Sequence, residues 1–317
     1  MNKLILGMCA VAALCTAGAE ETADATWSES RKVAESETVK VANLTVEGEG
    51  IAVTNAGTVG GSKLILRKGA YVQKSGSSQY AVSTVVGNGY DTAATRELTV
   101  KGGSFTVPKR VIVGLASGEQ SVPRFVVEDG RVEIGTEDMA TSNPRYLGLA
   151  IARRFSDNDP MGTELNQWAA TPAESIWATG DFLMTGGEVS AANVSFGSSG
   201  ECGYDFNNWG RFTLAGGVFT LGNRGFLLNS GWNKERGRYE VVLSGGTLAA
   251  YGNFTNTLAT RLSNRDGGVT LRADAGKSMT FAAPLYGEGG FTKTGEGTVC
   301  LVSPSDYLGE TRVAEGR

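Results

Sequence analysis

Five segments of the chain share an alternation of apolar and polar positions on both sides of a turn pair. Their sequences are LTVKGGSFTV, FVVEDGRVEI, FLMTGGEVSA, FTLAGGVFTL and VVLSGGTLAA, and their turn pairs end at Gly103, Gly130, Gly187, Gly217 and Gly246. In all five, the residues five and three before this glycine, and two and four after it, are apolar. Side chains two apart lie on the same face of a strand, and glycine permits a positive φ at a bend. The pattern therefore predicts two short strands joined at a corner.

The segments recur along the chain with a nearly constant spacing. Successive reference glycines are 27, 57, 30 and 29 residues apart, and we interpret 57 as about two periods. Weaker copies flank them: KLILRKGAYV around Gly69, NLTVEGEGIAV with Glu49 at the reference position, and TLRADAGKSMTF, in which Met279 and Phe281 take the inward places. A period of about 29 residues made only of strands and turns is typical of a solenoid or an array.

Two all-β architectures satisfy this local pattern. The turn pair is either a corner between two strands of one β-helix coil, or the loop of an antiparallel hairpin. The period leaves room for a third strand, as in RVIVG at 110–114 and NVSFG at 193–197. An isolated hairpin also needs stacked neighbours to bury its apolar face. These points favour the coil, and a hairpin array or sandwich is the alternative.

The C-terminal segment GGFTKTGEGTVCLVSPSDYLGETRVAEGR carries a more specific pattern. It resembles the autotransporter-associated β-strand repeat, in which glycines, a lysine and a Tyr-x-G-x-T turn recur at set positions. The matching residues are Gly289, Gly290, Phe291, Lys293, Gly295, Gly297, Thr298, Val299, Leu301, Tyr307, Gly309, Thr311, Val313 and Gly316. Cys300 replaces a usual threonine, and Leu308 adds bulk at the turn. The match covers about 30 of 317 residues.

This resemblance implies a fold and a context. Such repeats are similar to those of right-handed parallel β-helices in the passenger regions of large secreted bacterial proteins. We therefore expect a right-handed parallel β-helix with about 29 residues per coil. The repeat unit of that family continues past Arg317, so we also expect that the chain is truncated within a coil.

The N-terminus predicts export. Lys3 precedes an apolar run from Leu4 to Leu14, and Ala17-Gly18-Ala19 is typical of a signal-peptidase site. A run of this length is too short to span a bilayer, so we expect no membrane span after cleavage. The predicted organisation is a signal peptide at 1–19, an N-terminal cap at 20–41 and β-helix repeats at 42–317, with an insertion at about 136–180.

Composition and charge exclude several function classes. The 29 basic and 33 acidic residues give a net charge of −4, with no basic stripe for nucleic acid. The chain has no histidine, which removes the commonest general base and zinc ligand. Glycine is the compositional outlier at 45 residues, about twice the usual share. Because these glycines have no strict three-residue period, we interpret them as residues of the turns between strands rather than as a collagen repeat.

Two cysteines remain after signal cleavage, Cys202 and Cys300. Their separation of 98 residues corresponds to about 3.4 coils. Three coils at ~4.8 Å per strand span ~14 Å, whereas a disulfide needs Cα atoms within ~7 Å. We therefore predict that the cysteines stay unpaired and that Cys300, between Val299 and Leu301, points outward.

The insertion is where chemistry is most expected, because period-breaking loops of solenoids often bind ligands. Asp157, Asn158, Asp159 and Glu164 are hard oxygen ligands of the kind calcium prefers. Arg153 and Arg154 beside them have the residue types of a minimal polysaccharide-lyase site. The EF-hand spacing is missing, and no ladder of acids marks the outward repeat positions, so we interpret the segment as a solvated turn around Pro160. We assign no catalytic, cofactor-binding or metal-binding residue.

Aromatic and amide residues give two weaker signals. Trp168, Trp177, Trp209 and Trp232 lie outside the alternating strands, in segments that look like loops. They either stack on sugar rings, or cap coil corners or cover the core, and we favour the second interpretation. The sequon-like Asn43, Asn193 and Asn253 are interpreted as ordinary outward asparagines in turns.

Together these features predict an exported, non-enzymatic rod. Its role is structural or adhesive, as part of a larger bacterial surface or secreted protein of the autotransporter-passenger kind. Its expected partners are surface glycans or the surfaces of host or neighbouring cells, and no cofactor is expected. The alternative is a β-helical carbohydrate-active enzyme of the polysaccharide lyase or glycoside hydrolase type.

Overall fold

The computed structural model describes residues 24–34, 38–40, 43–55, 58–60, 63–73, 83–88, 97–115, 122–140, 148–153, 177–197, 207–229 and 237–317. Within these ranges the chain forms twenty-nine β-strands and one short 3₁₀ turn at Thr136–Asp138. Every strand pairing in the described part is parallel. The chain is therefore a parallel β-helix, as predicted, and the antiparallel alternative is excluded.

Each coil contributes strands to three faces. The first face contains β1 (Ala25–Trp27), β4 (Asn43–Val46), β7 (Lys63–Leu66), the starts of β10 (Glu97–Val107) and β12 (Arg124–Ile134), β14 (Trp177–Met184), β17 (Asn207–Leu214), β20 (Arg238–Leu243), β23 (Thr260–Leu262) and β26 (Leu285–Tyr286). The second face contains β2 (Arg31–Val33), β5 (Ala52–Asn55), β8 (Ala70–Gln73), the ends of β10 and β12, β15 (Glu188–Ala191), β18 (Val218–Leu221), β21 (Gly246–Ala250), β24 (Val269–Arg272), β27 (Phe291–Thr294) and β29 (Thr311–Val313).

The third face is divided into three separate sheets. The first pairs β3 (Thr38–Lys40) with β6 (Thr58–Gly60). The second contains β9 (Ser83–Asn88), β11 (Arg110–Leu115), β13 (Gly148–Arg153), β16 (Val194–Phe196) and β19 (Phe226–Leu228). The third contains β22 (Asn253–Asn256), β25 (Ser278–Phe281) and β28 (Thr298–Leu301). The predicted third strands at 110–114 and 193–197 correspond to β11 and β16, so the three-strand coil is confirmed.

The core includes every apolar position that the alternation of the five segments predicts. All twenty are buried, and none is more than 3% exposed: Leu98, Val100, Phe105, Val107, Phe125, Val127, Val132, Ile134, Phe182, Met184, Val189, Ala191, Phe212, Leu214, Phe219, Leu221, Val241, Leu243, Leu248 and Ala250. Aromatic rings run continuously through this interior. Phe125 and Phe182 have ring centroids 5.3 Å apart, and Phe182 and Phe212 are stacked at 5.2 Å. Burial of these side chains at ~25 cal/mol per Å² is the main stabilising contribution.

The five reference glycines form a stacked column at the corner between the first and second faces. Each has a positive φ, between 72° and 88°. A Cβ on Gly187 would lie 2.5 Å from the carbonyl oxygen of Gly130, and one on Gly217 would lie 2.5 Å from that of Gly187. Glycine is required here for two reasons: the left-handed backbone, and the close approach of the coil below.

The coil length differs from the expected constant period. The first-face partners Leu44 and Leu64 are 20 residues apart, whereas Phe212 and Val241 are 29 apart. Phe125 pairs directly with Phe182, so the 57-residue spacing is a single coil and the two-period interpretation is wrong. Loop length can vary in this way because the entropy of closing a surface loop grows only slowly with its length.

The observed strands also bear on the weak repeat copy TLRADAGKSMTF and on the predicted N-terminal cap. The pattern in TLRADAGKSMTF predicts the corner between the first and second faces, which is wrong, because β24 lies on the second face and β25 on the third. Met279 and Phe281 are inward and buried, as expected. Within the predicted cap, β1, β2 and β3 pair in register with β4, β5 and β6. The predicted signal peptide at 1–19 lies outside the described residues.

Candidate functional site

A column of alternating charges runs along the outside of the first face. Pairing in register stacks Glu97, Arg124, Asp181, Arg211 and Glu240 on successive strands. Parallel strands are ~4.8 Å apart, so Arg124, Asp181 and Arg211 each lie between two charges of opposite sign. The lyase alternative would need several acids converging near a base, whereas this column alternates acids with bases.

Asp181 is the buried centre of this column. Its side chain is 3% exposed and accepts hydrogen bonds from Arg211 Nε at 3.0 Å and Arg211 Nη2 at 2.9 Å. Arg124 Nε lies 3.3 Å from Asp181 Oδ2 on the other side. The hydrogen bond with Asp181 raises the pKa of Arg211 in spite of partial burial, which by itself lowers it. The carboxylate is therefore held by two guanidinium groups and is not placed to act on a substrate.

The charged surface continues beside the column. Arg261 Nη2 donates to both carboxylate oxygens of Glu288, at 3.1 and 3.2 Å, and Arg261 Nη1 lies 3.9 Å from Glu240. The pKa of Glu288 is lowered, first by a backbone hydrogen bond and then by Arg261. Trp209 is half-buried at the outward position next to Arg211, whose guanidinium carbon is 5.3 Å from the ring centroid. The aromatic ring thus borders the ion-pair network.

The tryptophan prediction needs correction. Trp209 lies in β17 and Trp177 in β14, so neither is in a loop. The two strands begin earlier than their neighbours because they pair with each other over residues 177–180 and 207–210. The neighbouring coil supplies this pairing, and the alternation within either segment does not reveal it. Trp168 and Trp232 lie outside the described residues.

A groove opens on the third face, where the sheet that ends at β19 is not paired with the sheet that begins at β22. It encloses about 420 Å³ and is lined by Asn223, Arg224, Phe226, Leu227, Asn253, Phe254, Thr255, Thr257, Ser278 and Thr280. A second concavity of about 490 Å³ shares Asn253 and Ser278 with it and extends to Lys277, Glu296, Thr298 and Arg317. The two form one polar strip along the outside of the last coils.

The last coils also contain a buried cation. Lys293 takes an inward position, paired with Leu271, and is 1% exposed. Its Nζ donates to the carbonyl oxygens of Thr294 (2.9 Å), Gly295 and Glu315 (3.0 Å). Burial lowers the pKa of Lys293. Since these carbonyls belong to two successive coils, the ammonium group joins the corner of one coil to the next.

Several sequence-predicted residues have a clear position. Cys300 is exposed, so its outward orientation is confirmed. Asn253 is exposed and accepts a hydrogen bond from Ser278 Oγ at 3.1 Å, and Asn43 donates to Asp24 at 2.7 Å. Asn193, by contrast, is fully buried, and within the described part of the chain neither Oδ1 nor Nδ2 of its side-chain amide has a hydrogen-bond partner. Its interpretation as an outward asparagine is wrong.

The proposed calcium and lyase residues are not brought together by the described part. Asp157, Asn158, Asp159, Glu164 and Arg154 lie outside it, as does Cys202. Arg153 is the last residue of β13 and pairs in register with Leu115 of β11. Among described residues, no group of three or more acidic, cysteine or histidine side chains is arranged to hold a metal ion. No helix in those same ranges is both long and apolar enough to cross a membrane.

The charge column was missed although the sequence carries a signal for it. Each member lies six residues before a reference glycine, immediately outside the aligned window. Read in order, this position is Glu, Arg, Asp, Arg and Glu. The alternation of sign has meaning only once the five segments are known to stack as direct neighbours.

Comparison with known proteins gives one distant likeness. Over 223 residues the chain is 25% identical to an adhesin, described as "Adhesin BmaC autotransporter", of Brucella suis biovar 1 (strain 1330). The aligned part is 68% of this chain and 6% of that protein, so the chain spans a small fraction of its relative. No family model matches, and no solved structure matches. The likeness supports an autotransporter-like relation, coarser than the β-strand repeat family that the C-terminal segment resembles.

Proposed function

We propose that this chain is a structural or adhesive β-helical module of an exported bacterial surface protein. The observation that carries the proposal is the likeness to an adhesin over two thirds of the chain. The parallel coil stack supports it, because stacked coils form a stiff rod with long exposed faces on which binding groups are displayed. Export through residues 1–19 and the absence of enzymatic activity are parts of the same proposal.

The outward surfaces suit a scaffold. On the first face, acids and bases neutralise each other along the coil axis, as Arg124, Asp181 and Arg211 do. On the third face, the outward side chains of β22 and β25 are short and polar, as are Asn253 and Thr255. Such faces remain soluble while presenting hydrogen-bonding groups at strand spacing.

Surface display and adhesion are tested separately. Antibodies against the chain are expected to label intact cells of the source organism, and protease added outside is expected to digest the protein. Beads coated with folded chain are expected to attach to cell surfaces more than beads coated with heat-unfolded chain. Protection from protease in intact cells would contradict surface display, and equal attachment of both bead types would contradict adhesion.

The enzymatic alternative has its own test. Polygalacturonate, alginate and neutral glucans are incubated with the chain, and new reducing ends and absorbance at ~235 nm from unsaturated products are followed. A scaffold is expected to give no product above the heat-inactivated control. Time-dependent cleavage of any of these polymers would overturn the proposal.

A further inference from the structure

The groove on the third face lies beside a corner that is longer than those of the two neighbouring coils. The second-face residues Ala191, Leu221 and Ala250 are in register on successive coils. Val194 begins the third-face strand three residues after Ala191, and Asn253 begins it three residues after Ala250. In the coil between them, Phe226 begins the strand five residues after Leu221. This corner therefore has two additional residues. The strand after it, β19, pairs with β16 but not with β22.

The additional length places Asn223 and Arg224 on the rim of the groove. Gly225 continues the corner with φ 64°, and Phe254 packs against it, since a Cβ at Gly225 would be 2.8 Å from the Phe254 ring. Phe226 and Phe254 are 1% and 3% exposed, so their rings form the floor rather than a surface for stacking. The accessible wall is therefore made mainly of polar side chains, together with the half-buried Leu227.

The polar groups that line the groove are amides, hydroxyls and one guanidinium. The six amide and hydroxyl side chains are Asn223, Asn253, Thr255, Thr257, Ser278 and Thr280. They are joined by one cation, Arg224, and no acid lines this groove. The adjoining concavity adds Lys277 and Arg317 against one acid, Glu296, although Lys277 Nζ also lies 3.6 Å from Asp274. The charges of the adjoining concavity therefore nearly balance, and Arg224 is the charged residue that lines the groove itself.

We propose that the third-face groove binds a segment of an acidic glycan chain. Sugar hydroxyls bond to the amide and hydroxyl side chains, and a carboxylate or sulfate group pairs with the Arg224 guanidinium, whose planar donors match such anions. The volume of about 420 Å³ is within the range of ligand sites. Single-stranded nucleic acid is a poorer fit, because its binding relies on exposed aromatic rings. The inference rests on the proposed adhesive function and specifies the ligand class.

The test is calorimetric titration of the full chain with four ligands: oligogalacturonate, a sulfated glycosaminoglycan oligosaccharide, a neutral maltooligosaccharide and oligothymidylate. We expect saturable binding of at least one acidic glycan, and which of the two binds distinguishes carboxylate from sulfate recognition. Binding of neither acidic glycan, or equal binding of the neutral one, would overturn the inference. Preference for oligothymidylate would overturn it as well.

Matched variants locate the site. Arg224→Gln is expected to weaken acidic-glycan binding about tenfold or more, as for loss of a charge-assisted hydrogen bond. Thr255→Ala is expected to weaken it severalfold. The controls Arg131→Gln and Thr270→Ala alter a largely exposed arginine and a threonine of the second face, and are expected to leave binding unchanged. Circular dichroism checks that each variant is folded, and equal affinity of Arg224→Gln and wild type would refute the assignment.

The adhesion assay separates this inference from the broader proposal. If beads coated with wild type and with Arg224→Gln attach equally well to cells, the groove is not the adhesive contact, and the adhesive function stands. If wild-type beads do not attach but acidic glycan still binds at the groove, the adhesive proposal fails while the glycan site stands.

Discussion

The stacked glycine column provides a quantitative test of the coil geometry. Gly187 and Gly276 both have φ +74°, but a Cβ on Gly187 would lie 2.5 Å from the Gly130 carbonyl oxygen, whereas a Cβ on Gly276 has no neighbour within 4 Å. Substitution by alanine therefore imposes the same left-handed backbone at both sites. Only at Gly187 does it also force the coil below to move.

The expected magnitudes follow from these two effects. The left-handed conformation costs a non-glycine residue about 1–2 kcal/mol, so Gly276→Ala is expected to destabilise its region by that amount. Forcing an extra group into a packed contact costs about 1–3 kcal/mol more. Gly187→Ala is therefore expected to reduce the local free energy of unfolding by about 2–5 kcal/mol.

Hydrogen exchange measured by mass spectrometry is the suitable assay, because coils of a solenoid open locally and a single global midpoint would average them. Peptides covering β12, β15 and β18 report on Gly187→Ala, and peptides covering β24 and β25 report on Gly276→Ala. Protection should fall further in the first variant than in the second. Equal losses at the two sites would refute the close stacking of successive corners.

Three further predictions concern single side chains. Lys293→Met removes the donor to three backbone carbonyls. The free energy of opening of the last coil, measured by hydrogen exchange, is therefore expected to fall by about 1–3 kcal/mol. Unchanged protection would contradict the bridging role. Ala152 has φ 55°. We expect Ala152→Gly to change stability by no more than about 0.5 kcal/mol in denaturant titration, since relief of strain offsets the lost methyl group. The matched change Ala150→Gly, without that strain, should cost about 1–2 kcal/mol. Burial raises the pKa of Tyr71 above its ordinary 10.0, so the unfolded chain loses this proton first. The stabilising contribution of the buried, neutral Tyr71 hydroxyl should be fully present below pH ~10 and be lost above it. The free energy of unfolding should therefore fall less at alkaline pH in Tyr71→Phe. Identical alkaline unfolding midpoints for the two proteins would exclude this contribution.

Much of the fold can be predicted because its determinants are local. The alternation around Gly103, Gly130 and Gly187 identifies inward side chains, since the two-residue period of a strand is a property of the strand itself. The positive φ of these glycines is equally local, and every reference glycine has it. The exposure of Cys300 follows from the same alternation.

The candidate sites could be predicted only in part. Arg224 lines the groove because its corner is two residues longer than the corners of the coils on either side, and nothing in NRGF alone indicates that difference. The residue type of Asn193 predicts a surface position, whereas the structure buries this side chain in its corner. Trp209 was placed in a loop because its strand is extended by the neighbouring coil rather than by its own pattern.

The sequence by itself determined which residues face inward, where the chain turns and that its units stack. Only the tertiary structure decided which residues are neighbours along the coil axis. It made 57 residues a single coil, aligned Arg124, Asp181 and Arg211 into one ion-pair column, and separated β19 from β22. The physical reason is that inward and outward orientation is set within a few residues of chain, whereas the register between coils depends on surface loops whose length costs little free energy to change.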